Sequence, residues 1–229
     1  MYTWLLFDAD GTLFDFQGAE DIALTTTPLK MGLAMPDDYA SVYHRINASL
    51  WRDFEAGSLS AQEVRTRRFQ RLFETLNIHE DSQRFSEAFL RELVNATTFL
   101  SGARQLLSQL KQRFNLALLT NGFADVQRAR IKRLEIVNLF DPVIISEEVG
   151  VAKPNPAIFD IALAGMGHPG RDGVLMLGDS LSSDIQGGVN AGIDTCWFNP
   201  ASNINNTDVA PTYEIQNLGD LPSLLATMA

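Results

Sequence analysis

Five short apolar runs, each passing into polar residues and four of them in the second half of the chain, constrain this sequence more than any other feature. They are Trp4-Leu5-Leu6-Phe7, Asn115-Leu116-Ala117-Leu118-Leu119, Pro142-Val143-Ile144-Ile145, Val174-Leu175-Met176-Leu177 and Thr195-Cys196-Trp197-Phe198. Near-continuous hydrophobic runs separated by helical periodicity are the pattern of βα units, whose parallel sheet is covered on both faces. Strands are predicted near 4–8, 115–120, 142–146, 173–178 and 194–198. Helices are predicted near 102–112, 124–136, 156–165 and 183–191, with a last one from Leu218 to Met228. The fold class that follows is α/β, a Rossmann-like parallel sheet core flanked by helices. No period of about 20–50 residues repeats, which excludes solenoids and propellers.

Between the first two runs the period is helical throughout. Tyr39, Val42, Tyr43, Ile46, Leu50 and Phe54 recur at three- and four-residue steps, as do Val64, Phe69, Leu72, Phe73 and Leu76. Asp37-Asp38 and Ser58-Leu59-Ser60 are start signals and Gly57 a stop, and a helix from Asp81 to Ala96 with Phe85, Phe89 and Leu93 inward completes a four-helix insertion. A helix-only stretch inside an α/β chain argues for a second unit. The expected division is a core of residues 1–16 and 98–229 and a helical insertion of residues 17–97. Ala201 to Ala210, rich in Asn and Ser, is expected to be a flexible loop.

The residues at the strand ends carry the chemistry, because open α/β sheets bind ligands at the carboxyl ends of their strands. Asp8 and Asp10 follow the first run, and a turn at Gly11 swings two carboxylates into one cavity, where they can divide the work of nucleophile and general acid/base. Thr120-Asn121-Gly122 offers a hydroxyl, an amide and turn N–H groups as oxyanion donors. Lys153 precedes a helix whose start Pro154 and Pro156 mark, and it reads as a phosphate clamp. Asp179 and Asp184 supply two further carboxylates, hard oxygen ligands that suit Mg²⁺. Taken alone, Thr120 is a helix cap, Lys153 a solvated charge and Asp184 an N-cap. Their common placement beside strand ends is what favours the functional reading.

Composition limits the partners. A formal charge of −10 opposes binding to a nucleic-acid polymer, whereas a small phosphate ester remains admissible where Lys153 and a metal ion set the local potential. Asp8 interrupts the apolar start, and no uncharged apolar run approaches the roughly 20 residues that span a bilayer, so no membrane partner and a cytoplasmic location are expected. Cys196 is the only cysteine, which rules out an internal disulfide and reads as a small buried hydrophobe. His44, His79 and His168 have no ligand spacing.

The order Asp8-Ala9-Asp10-Gly11-Thr12, an apolar run ending in Thr120, then Lys153-Pro154, then Gly178-Asp179 with Asp184, resembles the aspartate-nucleophile phosphatases of the haloacid dehalogenase superfamily. The wording Thr120-Asn121-Gly122-Phe123, Ser146-Glu147-Glu148-Val149-Gly150-Val151-Ala152-Lys153-Pro154-Asn155 and Thr195-Cys196-Trp197-Phe198-Asn199 is similar to that of bacterial pyrimidine 5′-nucleotidases. The resemblance implies that residues 17–97 are the family's mobile helical cap. It implies Asp8 as nucleophile, Asp10 as acid and then base, and Mg²⁺ on Asp8, the Asp10 backbone carbonyl and Asp179. Asp184 stands beside them, orienting Lys153 or a metal-bound water. Thr120 and the Asn121 N–H would hold phosphate oxygens. A pyrimidine nucleoside 5′-monophosphate is the expected substrate, with Trp51 a ring that could stack on its base. The alternatives are a sugar-phosphate phosphatase or mutase, a 2-haloacid dehalogenase, in which Asp10 would have no task, and a non-enzymatic receiver-type module, which would leave the insertion unexplained.

Overall fold

In the computed structural model, which describes residues 1–227, the first element of the chain becomes the middle of the sheet. Strand β1 (Trp4–Phe7) pairs in parallel with β2 (Asn115–Thr120) on one side and β4 (Val174–Gly178) on the other. Beyond them lie β3 (Val143–Ile145), β5 (Asp194–Phe198) and β6 (Tyr213–Ile215), giving the order β3-β2-β1-β4-β5-β6, all parallel. The order reverses at β1, and such a switch point opens a crevice at the carboxyl ends of the strands.

Period-2 alternation divides the strand side chains between two cores. Leu5, Phe7, Leu116, Leu118, Leu175, Leu177, Cys196 and Phe198 face one side, which α5 (Ala103–Leu110) and α10 (Leu221–Ala226) cover with Leu106, Leu107, Leu110, Leu221 and Leu225. Leu6, Ala117, Leu119, Val174 and Met176 face the other, under Ile158, Phe159, Ala162 and Leu163 of α8 (Pro156–Gly165). Each such fully buried Leu, Ile or Phe contributes about 1.5–3 kcal/mol. Asn155 caps α8, its Oδ1 accepting from the N–H of Ala157 at 3.0 Å, with Pro156 beside it in the first turn.

The chain divides into two compact units, one of Met1–Asp15 with the chain from Thr98 onward, the other Phe16–Thr97. The second is all helical: α1 (Phe16–Met31), α2 (Tyr39–Glu55), α3 (Ala61–Leu76) and α4 (Ser82–Ala96). Ser60 and Glu63 form a reciprocal capping box at α3, and Asp81 accepts from the N–H groups of Gln83 and Arg84 at α4. Asp38 precedes α2 without a side-chain capping bond.

Several boundaries differ from expectation. β6 was not foreseen, because three residues of a short edge strand give too little alternation to read. The helix expected to reach 136 ends at Arg133, followed by a turn that holds Glu135 at φ 58°. The helix expected over 183–191 begins as a π-turn, Leu181–Ile185, and continues as α9 (Gln186–Asn190). At the C-terminal end Leu218–Asp220 is 3₁₀, α10 follows, and the expected end at Met228 lies outside the described residues. The Ala201–Ala210 stretch is irregular, with Asn203 tied to Asn199 and a turn built on Asn205. Among the described residues, no helix is long and apolar enough to cross a membrane.

Candidate active site

Asp8 stands one residue past β1, its N–H donating to the carbonyl of Leu177 and its side chain buried. Lys153 reaches it from the loop before α8. Lys153 is 1 % exposed, and the three donors of its ammonium meet Asp8 Oδ1 at 2.5 Å, Asp184 Oδ1 at 2.6 Å and the carbonyl of Leu119 at 2.9 Å. Lys153 is thus a clamp on two carboxylates, and a phosphate oxygen would have to share or replace one of these contacts. Burial disfavours its charge, yet Asp184 and Asp8 outweigh burial and hold the ammonium above the usual lysine range.

Two glycines make room for the other acids. Gly11, at φ 78°, closes the turn after Asp10, and a Cβ there would come 2.5 Å from Asp179 Oδ2. At Gly178 a Cβ would stand 2.2 Å from Asp184 Cγ. Thr12 Oγ1 donates to Asp179 Oδ1 at 3.3 Å, and the Trp197 indole N–H donates to the Asp179 carbonyl. Asp184 sits in the π-turn, where its Oδ2 accepts from the Ser180 N–H at 3.0 Å. Such turns inside helices often mark functional sites.

The acids outnumber the base. One oxygen from each of Asp8, Asp179 and Asp184 lies within 4.8 Å of the others, three carboxylates against the single ammonium of Lys153. Two carboxylates about 4 Å apart repel by about 4 kcal/mol at an effective dielectric of about 20. Burial pushes Asp8 well above the usual carboxylate range; Lys153 opposes that, and Asp184, Asp179 and Asp10 add to it. Asp179 is pushed up to about 7, by burial first and Asp184 second. A buried set of hard oxygens with surplus negative charge fits a divalent cation, and no nitrogen or sulfur donor belongs to it.

Thr120, at the end of β2, is fully buried, and its Oγ1 accepts from Gln127 Nε2 at 3.0 Å. Asn121 pairs reciprocally with the backbone of Lys153, its Oδ1 accepting from the N–H at 2.9 Å and its Nδ2 donating to the carbonyl at 3.0 Å. The expectation of a free N–H at Gly122 is corrected, since that N–H donates at 3.1 Å to Oγ of Ser146, the first residue of α7 (Ser146–Val149). Gly122 instead provides space: a Cβ there would meet Gln127 Nε2 at 3.0 Å and Cγ at 3.2 Å. Trp51 belongs to the helical insertion, half-buried on α2 and edge-on to Phe54 with ring centroids 5.4 Å apart.

Sequence reasoning missed two residues on α6 (Ala124–Arg133). Gln127 Nε2 donates to Asp10 Oδ2 at 2.7 Å, and Arg130 Nη1 stands 2.5 Å from Asp10 Oδ1 as a buried ion pair. Spacing alone did not mark them, whereas the burial of their face does. Val126, Gln127, Arg130 and Ile131 share the buried face of the helix, and an amide and a guanidinium on an apolar face need a partner.

Comparison with known proteins agrees with this arrangement. A family model described as haloacid dehalogenase-like hydrolase matches residues 2–192. The pyrimidine 5′-nucleotidase YjjG of Escherichia coli is 37% identical over 224 residues, covering 98% of both chains. The pyrimidine 5′-nucleotidase PynA of Streptococcus pneumoniae is 38% identical over 221 residues, covering 96% of this chain and 93% of that protein. Among solved structures, the magnesium-bound HAD-hydrolase YfnB of Bacillus subtilis superposes with a TM-score of 0.90 at 35% identity, covering 98% of each chain.

Proposed function

The chain belongs to the haloacid dehalogenase-like hydrolases, a family that generally uses a divalent metal, and from that premise we propose that it hydrolyses pyrimidine nucleoside 5′-monophosphates through an aspartyl-phosphate on Asp8. The observation that carries the reading is the meeting of Asp8 and Lys153, 145 residues apart, with Asp184 at the switch point of the sheet.

Phosphate monoesters are among the slowest substrates to hydrolyse unaided, so the reaction gains from being split in two. Asp8 attacks phosphorus as the ester P–O bond breaks, and Asp10 gives its proton to the leaving ester oxygen. Water then attacks the acyl phosphate, Asp10 takes a proton from it, the bond between Asp8 and phosphorus breaks, and inorganic phosphate leaves. Lys153 fixes the attacking carboxylate through one oxygen. Thr120 and the Asn121 N–H are assigned to the phosphate oxygens. Asp8, Asp179 and the Asp10 carbonyl, with Asp184 beside them, would hold Mg²⁺, which when bound supplies the positive charge that admits a dianionic phosphate among carboxylates.

We assign the helical insertion as the family's cap, the unit that selects substrate, with Trp51 as its test residue, and the cytoplasm as the location. A phosphate-release screen with Mg²⁺ over uridine and thymidine monophosphates, sugar phosphates and haloacids tests the proposal. The pyrimidine nucleotides are expected to be fastest. Equal or slower turnover than sugar phosphates would remove the nucleotidase assignment.

A further inference from the structure

The geometry points to Gln127 and Arg130 as positioning residues that hold the Asp10 carboxyl on line for proton delivery to the leaving group, an inference that rests on the acid role proposed for Asp10. Gln127 is the hub. Its Nε2 donates both to Asp10 Oδ2 and to Thr120 Oγ1, while its Oε1 accepts from Arg130 Nη1 at 3.2 Å. One side chain therefore ties the acid after β1 to the hydroxyl at the end of β2. Arg130 holds the other oxygen of Asp10 from a guanidinium that is 1 % exposed and lies over the Phe14 ring, 5.0 Å from its centroid. Phe14 is held in turn, its N–H donating to the Ala9 carbonyl and its ring meeting Phe99 edge-on.

The arrangement leaves Asp10 little freedom. Oδ2 accepts a hydrogen bond and Oδ1 is met by the guanidinium as an ion pair without one, both from one helix, and the Asp10 side chain is 24% exposed. General acid catalysis depends on such placement, because the proton must be delivered along the breaking bond. A packing role alone would not require polar groups on the buried face of α6, where apolar residues of similar volume cost less. Gly122 belongs to the same device, since its missing side chain is the space that Gln127 occupies.

The test separates proton delivery from structure through the leaving group. Uridine monophosphate expels an alkoxide that needs a proton, whereas 2,4-dinitrophenyl phosphate expels a phenolate that does not. kcat/KM covers only the steps up to that expulsion, so the later role of Asp10 as base does not enter. Gln127→Met and Arg130→Met are each expected to lower kcat/KM on uridine monophosphate about 100-fold, with less than about a threefold loss on the dinitrophenyl ester. Asp10→Asn sets the reference pattern, and Gly122→Ala, which displaces Gln127 by a few tenths of an ångström, should reproduce it weakly. Equal losses on both esters, or no loss, would overturn the inference. If Asp10→Asn itself shows no leaving-group dependence, the acid role falls and takes this inference with it, while Asp8→Asn still reports on the covalent route.

Discussion

Both units of the protein bury a carboxylate among polar neighbours, and they do so to opposite effect. In the helical insertion Glu20 is surrounded by donors: the Tyr43 hydroxyl and the Asn47 amide bond to Oε1 at 3.0 and 3.2 Å, and His44 Nδ1 stands 3.2 Å from Oε2. Arg68 adds a buried positive charge, seated over the rings of Phe69 and Phe89 at 5.1 Å each. The surrounding rings continue through Tyr43, Phe85 and Phe73, so a packed aromatic core encloses most of this network, with His44 at its exposed edge and burial still holding Glu20 above its ordinary value despite the donors. In the sheet unit the neighbours of Asp8 are mostly other acids, and one ammonium bonds only two of the three carboxylates clustered there. Charge matched by its surroundings serves architecture. Charge left in excess serves chemistry, since only there would a cation and a phosphate improve the balance.

Three experiments can break this contrast. The largest expected effect is at Asp8: Asp8→Asn should lower phosphate release to below about 10⁻⁴ of the parent, as loss of a nucleophile does, with no loss of melting temperature in metal-free protein. A large drop in melting temperature would mean that the sheet cluster is architectural too. Next comes Arg68→Met in the insertion, which leaves Glu20 without its nearby buried cation and should cost about 3 kcal/mol in denaturant unfolding. A neutral result would show that the insertion network is not matched charge at all.

The smallest effect concerns pH. Because the folded state holds the Asp179 proton more tightly than the unfolded chain, its contribution is complete below the ordinary value of 3.8 and is lost as pH rises through about 7. Mg²⁺ should therefore raise the melting temperature by about 3 °C more at pH 8 than at pH 6. An equal shift at both values would separate Asp179 from the cation site.

The sheet and its acids were readable because each apolar run is short, unbroken and followed at once by a residue with distinct chemistry: Phe7 by Asp8, Leu119 by Thr120, Gly178 by Asp179. The insertion was readable from three- and four-residue spacing, and the start signal at Ser58-Leu59-Ser60 stands at the head of α3, where Ser60 and Glu63 form a capping box that was not foreseen. Gln127 and Arg130 were not found, because polar residues within a helix ordinarily face water. Only the burial of that face reveals their task. Gly122 was assigned to its N–H group when its contribution is an absent side chain, a property that depends on which residue packs against it. The π-turn holding Asp184 follows from the Ser180 carbonyl accepting from both the Asp184 and Ile185 N–H groups, a bifurcation that no spacing rule signals.

Placing at the centre a strand made well before both of its neighbours has a consequence for synthesis on the ribosome. Phe7 pairs with Leu118 and Leu177, so the first strand emerges long before either neighbour exists. A polypeptide interrupted ahead of Val174 would expose one naked border of that strand and lack both Asp179 and Asp184. Prematurely terminated products should be sticky and inert, and phosphoester cleavage should switch on only after the fourth strand docks.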